Sequence, residues 1–141
     1  MKRILNICLM SLMALGLSTG MMAQKKEMNT NQKMDPISWD DAKEAYHEVM
    51  ASTFHPAEEG DFKPLREDYK DLAIKAKEWN SLPVPSNLSE KELKPLLEKL
   101  YMESTKIGEL VEAKASDETL KKAIFDLHDV FHGIVGLCNE H

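Results

Sequence analysis

From Trp39 onward, apolar residues recur at alternating steps of three and four in four separate segments, the repeat of helices that each bury one face. Ser38, with Asp41 three residues on, opens the first segment as a capping box carrying Asp in place of Glu. Trp39, Ala42, Tyr46, Val49 and Thr53 are its expected inward set, and Pro56 its expected end. Pro64 suits the first turn of a second segment, in which Leu65, Tyr69, Leu72, Ala76 and Trp79 keep the step up to Pro83 and Pro85. Ser89-Glu90-Lys91-Glu92 is a capping box for the third, which turns Leu93, Leu97, Leu100, Ser104, Ile107 and Val111 inward and carries Pro95 near its start. Ser116, followed by Asp117 and Glu118, starts the fourth, with Leu120, Ile124, Leu127, Phe131, Ile134 and Cys138 inward and His141 next in the series. No strand pattern competes and the connections are short. The expected fold is therefore all-α, an antiparallel up-down four-helix bundle.

The residues before Ser38 lie outside this repeat. Lys2 and Arg3, an apolar run from Ile4 to Leu17 broken only by Asn6 and Ser11, and the stretch Ser18 to Ala23 follow the order of a secretory signal peptide, with cleavage expected before Gln24. The apolar run is too short to span a bilayer. Cys8, so near the start and after Asn6-Ile7, does not read as a lipoprotein cysteine. Gln24 to Pro36 is polar and aperiodic. The expected organisation is a signal peptide over 1–23, a flexible leader over 24–37 and a bundle over 38–141, in a periplasmic or secreted protein with no membrane span.

Charge narrows the partners. The 24 acids against 18 bases give a formal charge of −6, and loss of Lys2 and Arg3 with the signal peptide makes it −8. No clustered basic face is present, so nucleic acid is excluded as a partner. Cys138 is the only cysteine beyond the signal peptide, which rules out an internal disulfide, and its place in the apolar series suits a buried thiol. There is no Gly-rich phosphate loop, no nucleophile elbow and no CxxC, so a non-catalytic role is expected.

The chemistry concentrates in the histidines. His128 and His132 stand four residues apart in the fourth helix, which places their imidazoles on one face, one turn apart. Each follows a core position by one residue, on the shoulder of the buried stripe, and His47 follows Tyr46 in the same way on the first helix. If Phe54 lies level with Thr119, the rise of ~1.5 Å per residue brings His47 level with about residue 126, close to His128. His55, before Pro56, reaches the same place only under a different offset. Imidazole pairs of this kind bind transition metals, so zinc or copper is expected on His47, His55, His128 and His132, with the Met50 thioether favouring copper(I). Glu44, Glu48 and Asp129 are near enough in sequence to orient a ligating ring. The repeated Glu-x-x-His pattern of di-iron bundles is missing.

With His47 and Met50 on its first helix, and His128, His132, Cys138 and His141 toward its end, this exported bundle resembles the cytochrome c-prime and cytochrome b type four-helix-bundle superfamily. The resemblance covers about residues 38 to 141 at the level of architecture. Where the c-type members carry CxxCH, this chain has Gly136-Leu137-Cys138-Asn139-Glu140-His141, with one cysteine, so covalent haem is absent. The b-type members hold haem between a methionine of the first helix and a histidine of the fourth, which the resemblance carries onto Met50 with His128 or His132. Ala42, Ala45, Ala73, Ala76 and Gly133 would give it room, and Trp39, Tyr46, Trp79, Phe125 and Phe131 would fill that room. The sequence thus supports a metal-handling or metal-sensing bundle, with a b-type haem electron-transfer protein and a helical interaction protein without cofactor as alternatives. A homodimer is open in each.

Overall fold

A computed structural model of the chain describes residues 36–139. The expected signal peptide, the leader up to residue 35 and His141 lie outside the described residues. Four α-helices make up the fold: α1 (Trp39–Glu58), α2 (Lys63–Ser81), α3 (Glu90–Glu112) and α4 (Asp117–Asn139). No strand occurs among the described residues. Each helix packs on the next in sequence and α4 packs back on α1. None of the helices described is long and apolar enough to cross a membrane.

The helix starts follow the capping signals at two of three places. Ser38 Oγ accepts the Asp41 N–H at 3.1 Å while its hydroxyl donates to the Asp41 carboxylate at 2.6 Å. At α4, Ser116 Oγ accepts the Thr119 N–H at 3.2 Å. A side-chain cap of this kind is worth about 1 kcal/mol. Ser89 is the N-cap of α3, as expected, yet its side chain makes no capping bond. Its carbonyl alone takes the Glu92 and Leu93 N–H groups. Pro56 does not end α1, which runs on to Glu58 and buries Ala57 completely. A proline in the last turn removes one amide donor, and the apolar contact beyond it offsets the loss.

The core stripes of α2, α3 and α4 match the periodic sets, with Tyr69, Val111 and Cys138 only half-buried at their edges. On α1 the stripe turns further than expected. Met50 and Phe54 are buried at 1% and 4% exposure, Thr53 is buried too, and Val49 is half-buried. Thr53 tolerates this because its hydroxyl donates to the Val49 carbonyl at 2.8 Å. At the centre, Tyr46 packs its ring between Trp79 and Phe131, with centroids 6.1 and 5.6 Å away, and Trp39 meets Trp79 edge-on at 5.6 Å. The Tyr46 and Ser104 hydroxyls bond each other at 3.1 Å with both residues wholly buried. Burial pushes the Tyr46 hydroxyl above its ordinary pKa, and the bond to Ser104 opposes the shift only in part.

At one end, Arg66 Nη2 donates to the Ala115 carbonyl at 2.9 Å and to Asp117 at 2.7 Å, fastening the start of α2 to the α3–α4 connection. In that connection Lys114 adopts a left-handed backbone, φ 54°, while the Ala115 N–H returns to the Leu110 carbonyl.

Candidate functional site

His128 and His132 project from α4 toward its seam with α1, the first half-buried and the second exposed. Their Nε2 atoms are 3.2 Å apart, with ring centroids separated by 4.4 Å and planes crossed at 72°. One helical turn between them produces this directly. An ion lying ~2.0–2.1 Å from each nitrogen would see them at roughly 100°, close to a tetrahedral angle. Without an ion, the same distance suits an Nε2–H of one ring donating to the lone pair of the other. Burial, and then repulsion from His132, hold His128 below the ordinary imidazole pKa, against the opposing pull of Asp129 and Glu58. Its neutral, ligating form is thereby favoured at neutral pH.

Aromatic rings set the position of the imidazoles. Phe54 stacks face to face on His128, and Phe125 packs beside Phe54 at 5.0 Å. His47 stacks on Phe131 at 5.6 Å, 10° from parallel. The helix offset therefore differs from the expected one: Phe54 is level with Phe125 and His128 rather than with Thr119, and His47 is level with Phe131 rather than with residues near 126. That change of more than one turn carries His47 toward the level of His132 and brings His55 into the same hollow. His55 Nδ1 donates to Glu58 Oε2 at 2.9 Å, and since a carboxylate only accepts, Nε2 is left with the lone pair in the neutral ring. Glu44 stands off from His47 Nδ1 at 3.8 Å.

All four histidines line one cavity of about 330 Å³ between α1 and α4, whose apolar walls include Met50, Ala51, Phe54, Phe131 and Val135. Of these, His128 and His132 stand within ligand spacing of each other. Among the described residues no group of three or more His, Cys, Asp or Glu side chains is gathered to hold an ion. The expected convergence of His47 with the pair is not formed, and its ring lies instead against Phe131. Met50 lies in the core rather than on its shoulder and reaches the cavity from below. Cys138 lines a separate hollow beside Trp39 and Asp40, where burial raises its thiol pKa.

Haem fits these residues poorly. Of the small residues expected to make room, Ala42 and Ala76 are closed into the core, Ala73 lines an α2–α3 groove and Gly133 an α3–α4 groove. The Tyr46, Trp79 and Phe131 rings fill the centre. Sequence reasoning missed Phe54 and Phe131 as platforms for imidazoles, and Glu58 as the partner of His55. The signals were the i, i+4 series Tyr46, Met50, Phe54 and the i, i+3 spacing of His55 and Glu58. The chain matches no protein-family model, no curated protein and no solved structure.

Proposed function

We propose that this protein is an exported, non-catalytic bundle that handles or senses a transition metal ion, zinc or copper, with His128 and His132 as anchoring ligands. His47 and His55 line the same cavity from α1. The observation that carries the reading is the 3.2 Å separation of the two Nε2 atoms on one rigid helix. Ligands already held in place lose little freedom on binding, which is why a pair exceeds two independent imidazoles. Export rests on the order of charge, apolar run and small residues over 1–23.

An antiparallel up-down order of the helices supports this placement. Trp39 at the start of α1 meets Trp79 near the end of α2, and Tyr69 early in α2 bonds Glu112 at the end of α3. α4 then lies beside α1, as the cavity requires. The free ion is preferred over haem because a planar macrocycle leaves only positions on opposite faces of its metal. Two nitrogens seen from one side cannot occupy both.

Calorimetric titration of the metal-free protein with zinc and with copper tests the proposal. Wild type should bind one ion per chain, and His128→Ala and His132→Ala should each weaken binding by about tenfold or more, the equivalent of ~1.4 kcal/mol. His47→Ala should change it by far less. If both α4 variants bind as tightly as wild type, the proposal fails. A Soret band in protein purified from its native host would replace it with the haem reading.

A further inference from the structure

We infer that the ion sits at this pair as a mixed complex, its remaining positions taken by a small organic chelator with an apolar or aromatic body lodged in the α1–α4 cavity. This rests on the metal reading above and names the form in which the metal is recognised.

The pair supplies two nitrogens, whereas zinc and copper(II) commonly take four or more ligands. Among the described residues no third His, Cys, Asp or Glu side chain joins them. The open positions must be filled from outside the chain. Bound water suits the side of the cavity lined by Lys43, Glu44, His47, His55 and Asn139, but ordered water needs polar partners, and Met50, Ala51, Phe54, Phe131 and Val135 on the remaining walls offer none. Size gives the same answer. Two waters occupy roughly 60 Å³ at ~30 Å³ each, whereas the cavity holds about 330 Å³, at the lower end of small-molecule sites. A space several times larger than the missing waters, with apolar side chains along part of its wall, has room for carbon beside the ion.

The geometry also narrows the denticity. A tetradentate planar ligand is excluded by the one-sided placement of the two Nε2 atoms, and a ligand with a single donor leaves a position for water against the apolar wall. A bidentate chelator with nitrogen or oxygen donors completes a four-coordinate ion. A flat body suits the walls, where Phe54 and Phe131 already stack on imidazoles.

The test uses a preformed one-to-one complex of copper(II) with 2,2′-bipyridine as probe, compared with copper(II) alone. Native mass spectrometry of the wild type should show one chain, one copper and one bipyridine. Ala51→Trp fills part of the cavity from α1 and leaves both imidazoles in the chain, and should weaken binding of the copper–bipyridine complex by about tenfold, while copper alone changes less than about threefold. Val135→Phe makes the same obstruction from α4 and serves if the first variant melts well below wild type. Release of bipyridine on copper uptake, a complex indifferent to both variants, or two chains sharing one ion each overturn the inference and leave the metal reading standing. Failure of copper alone to bind removes both.

Discussion

Phe54 on α1 lies flat against the imidazole of His128 on α4, with ring centroids 3.7 Å apart and planes 4° from parallel. The contact spans the seam between the first and last helices and fixes the plane in which the His128 nitrogens lie. Phe54→Leu keeps an apolar side chain but removes the flat face, so it should lower zinc affinity about fivefold, or ~1 kcal/mol, with only a modest loss in denaturant stability. Unchanged affinity in a calorimetric titration would show that the stacking does not orient the ring.

The depressed pKa of His128 gives a pH dependence to the metal-free fold. Because the unfolded chain takes up the proton more readily than the folded one, stability contributed at this residue is fully present above the unfolded imidazole pKa of about 6.5. It declines as pH falls below that value and through the folded pKa. The ring faces His132 and Asp129 from its own helix and His55 and Glu58 from α1. Melting temperatures followed from about pH 8 to pH 5 should fall more steeply for wild type than for His128→Gln. Parallel curves would contradict the assigned shift.

Phe131 anchors the other end of the seam. It is 5% exposed and packs against Tyr46, Trp79 and His47. Phe131→Ala should cost about 3 to 5 kcal/mol in urea unfolding, as for other buried aromatic truncations. A loss below about 1 kcal/mol would mean that the surrounding rings close over the gap.

Lys114 carries the left-handed backbone that ends α3, φ 54°, a conformation that favours glycine. Its amide bonds the Val111 carbonyl at 3.0 Å, a bond that glycine retains. Lys114→Gly should therefore raise stability by up to about 1 kcal/mol, seen as a higher denaturant midpoint with an unchanged slope. A lower midpoint would show that the greater freedom of glycine in the unfolded chain outweighs the relieved strain.

The features that depend on one helix were legible in the sequence. The apolar sets of α2, α3 and α4 emerged from periodicity, and so did the His128 and His132 pair, because four residues of helix fix both. On α1, Val49 with Thr53 and Met50 with Phe54 satisfy the same step one residue apart, and the larger thioether and ring turn inward where aromatic packing at Tyr46 and Phe131 leaves space for them. The offset of α1 along α4 was not legible. It is set by how Phe54 meets Phe125 and His128 across the seam, a fit of shapes that periodicity does not encode. The expected offset left His55 outside the hollow that it lines.

The pair belongs wholly to the last helix, while the opposite wall of its cavity belongs to the first. During synthesis α1 is made before α4 and has to wait for it, and joining the two closes the longest loop in the bundle. The two histidines thus share one face as soon as α4 is helical, and the Phe54 ring that fixes the plane of His128 arrives afterwards. Grip and enclosure are inherited through different stretches of the chain, so substitutions confined to Met50 and Ala51 can remodel the enclosure while leaving the residues of the grip intact.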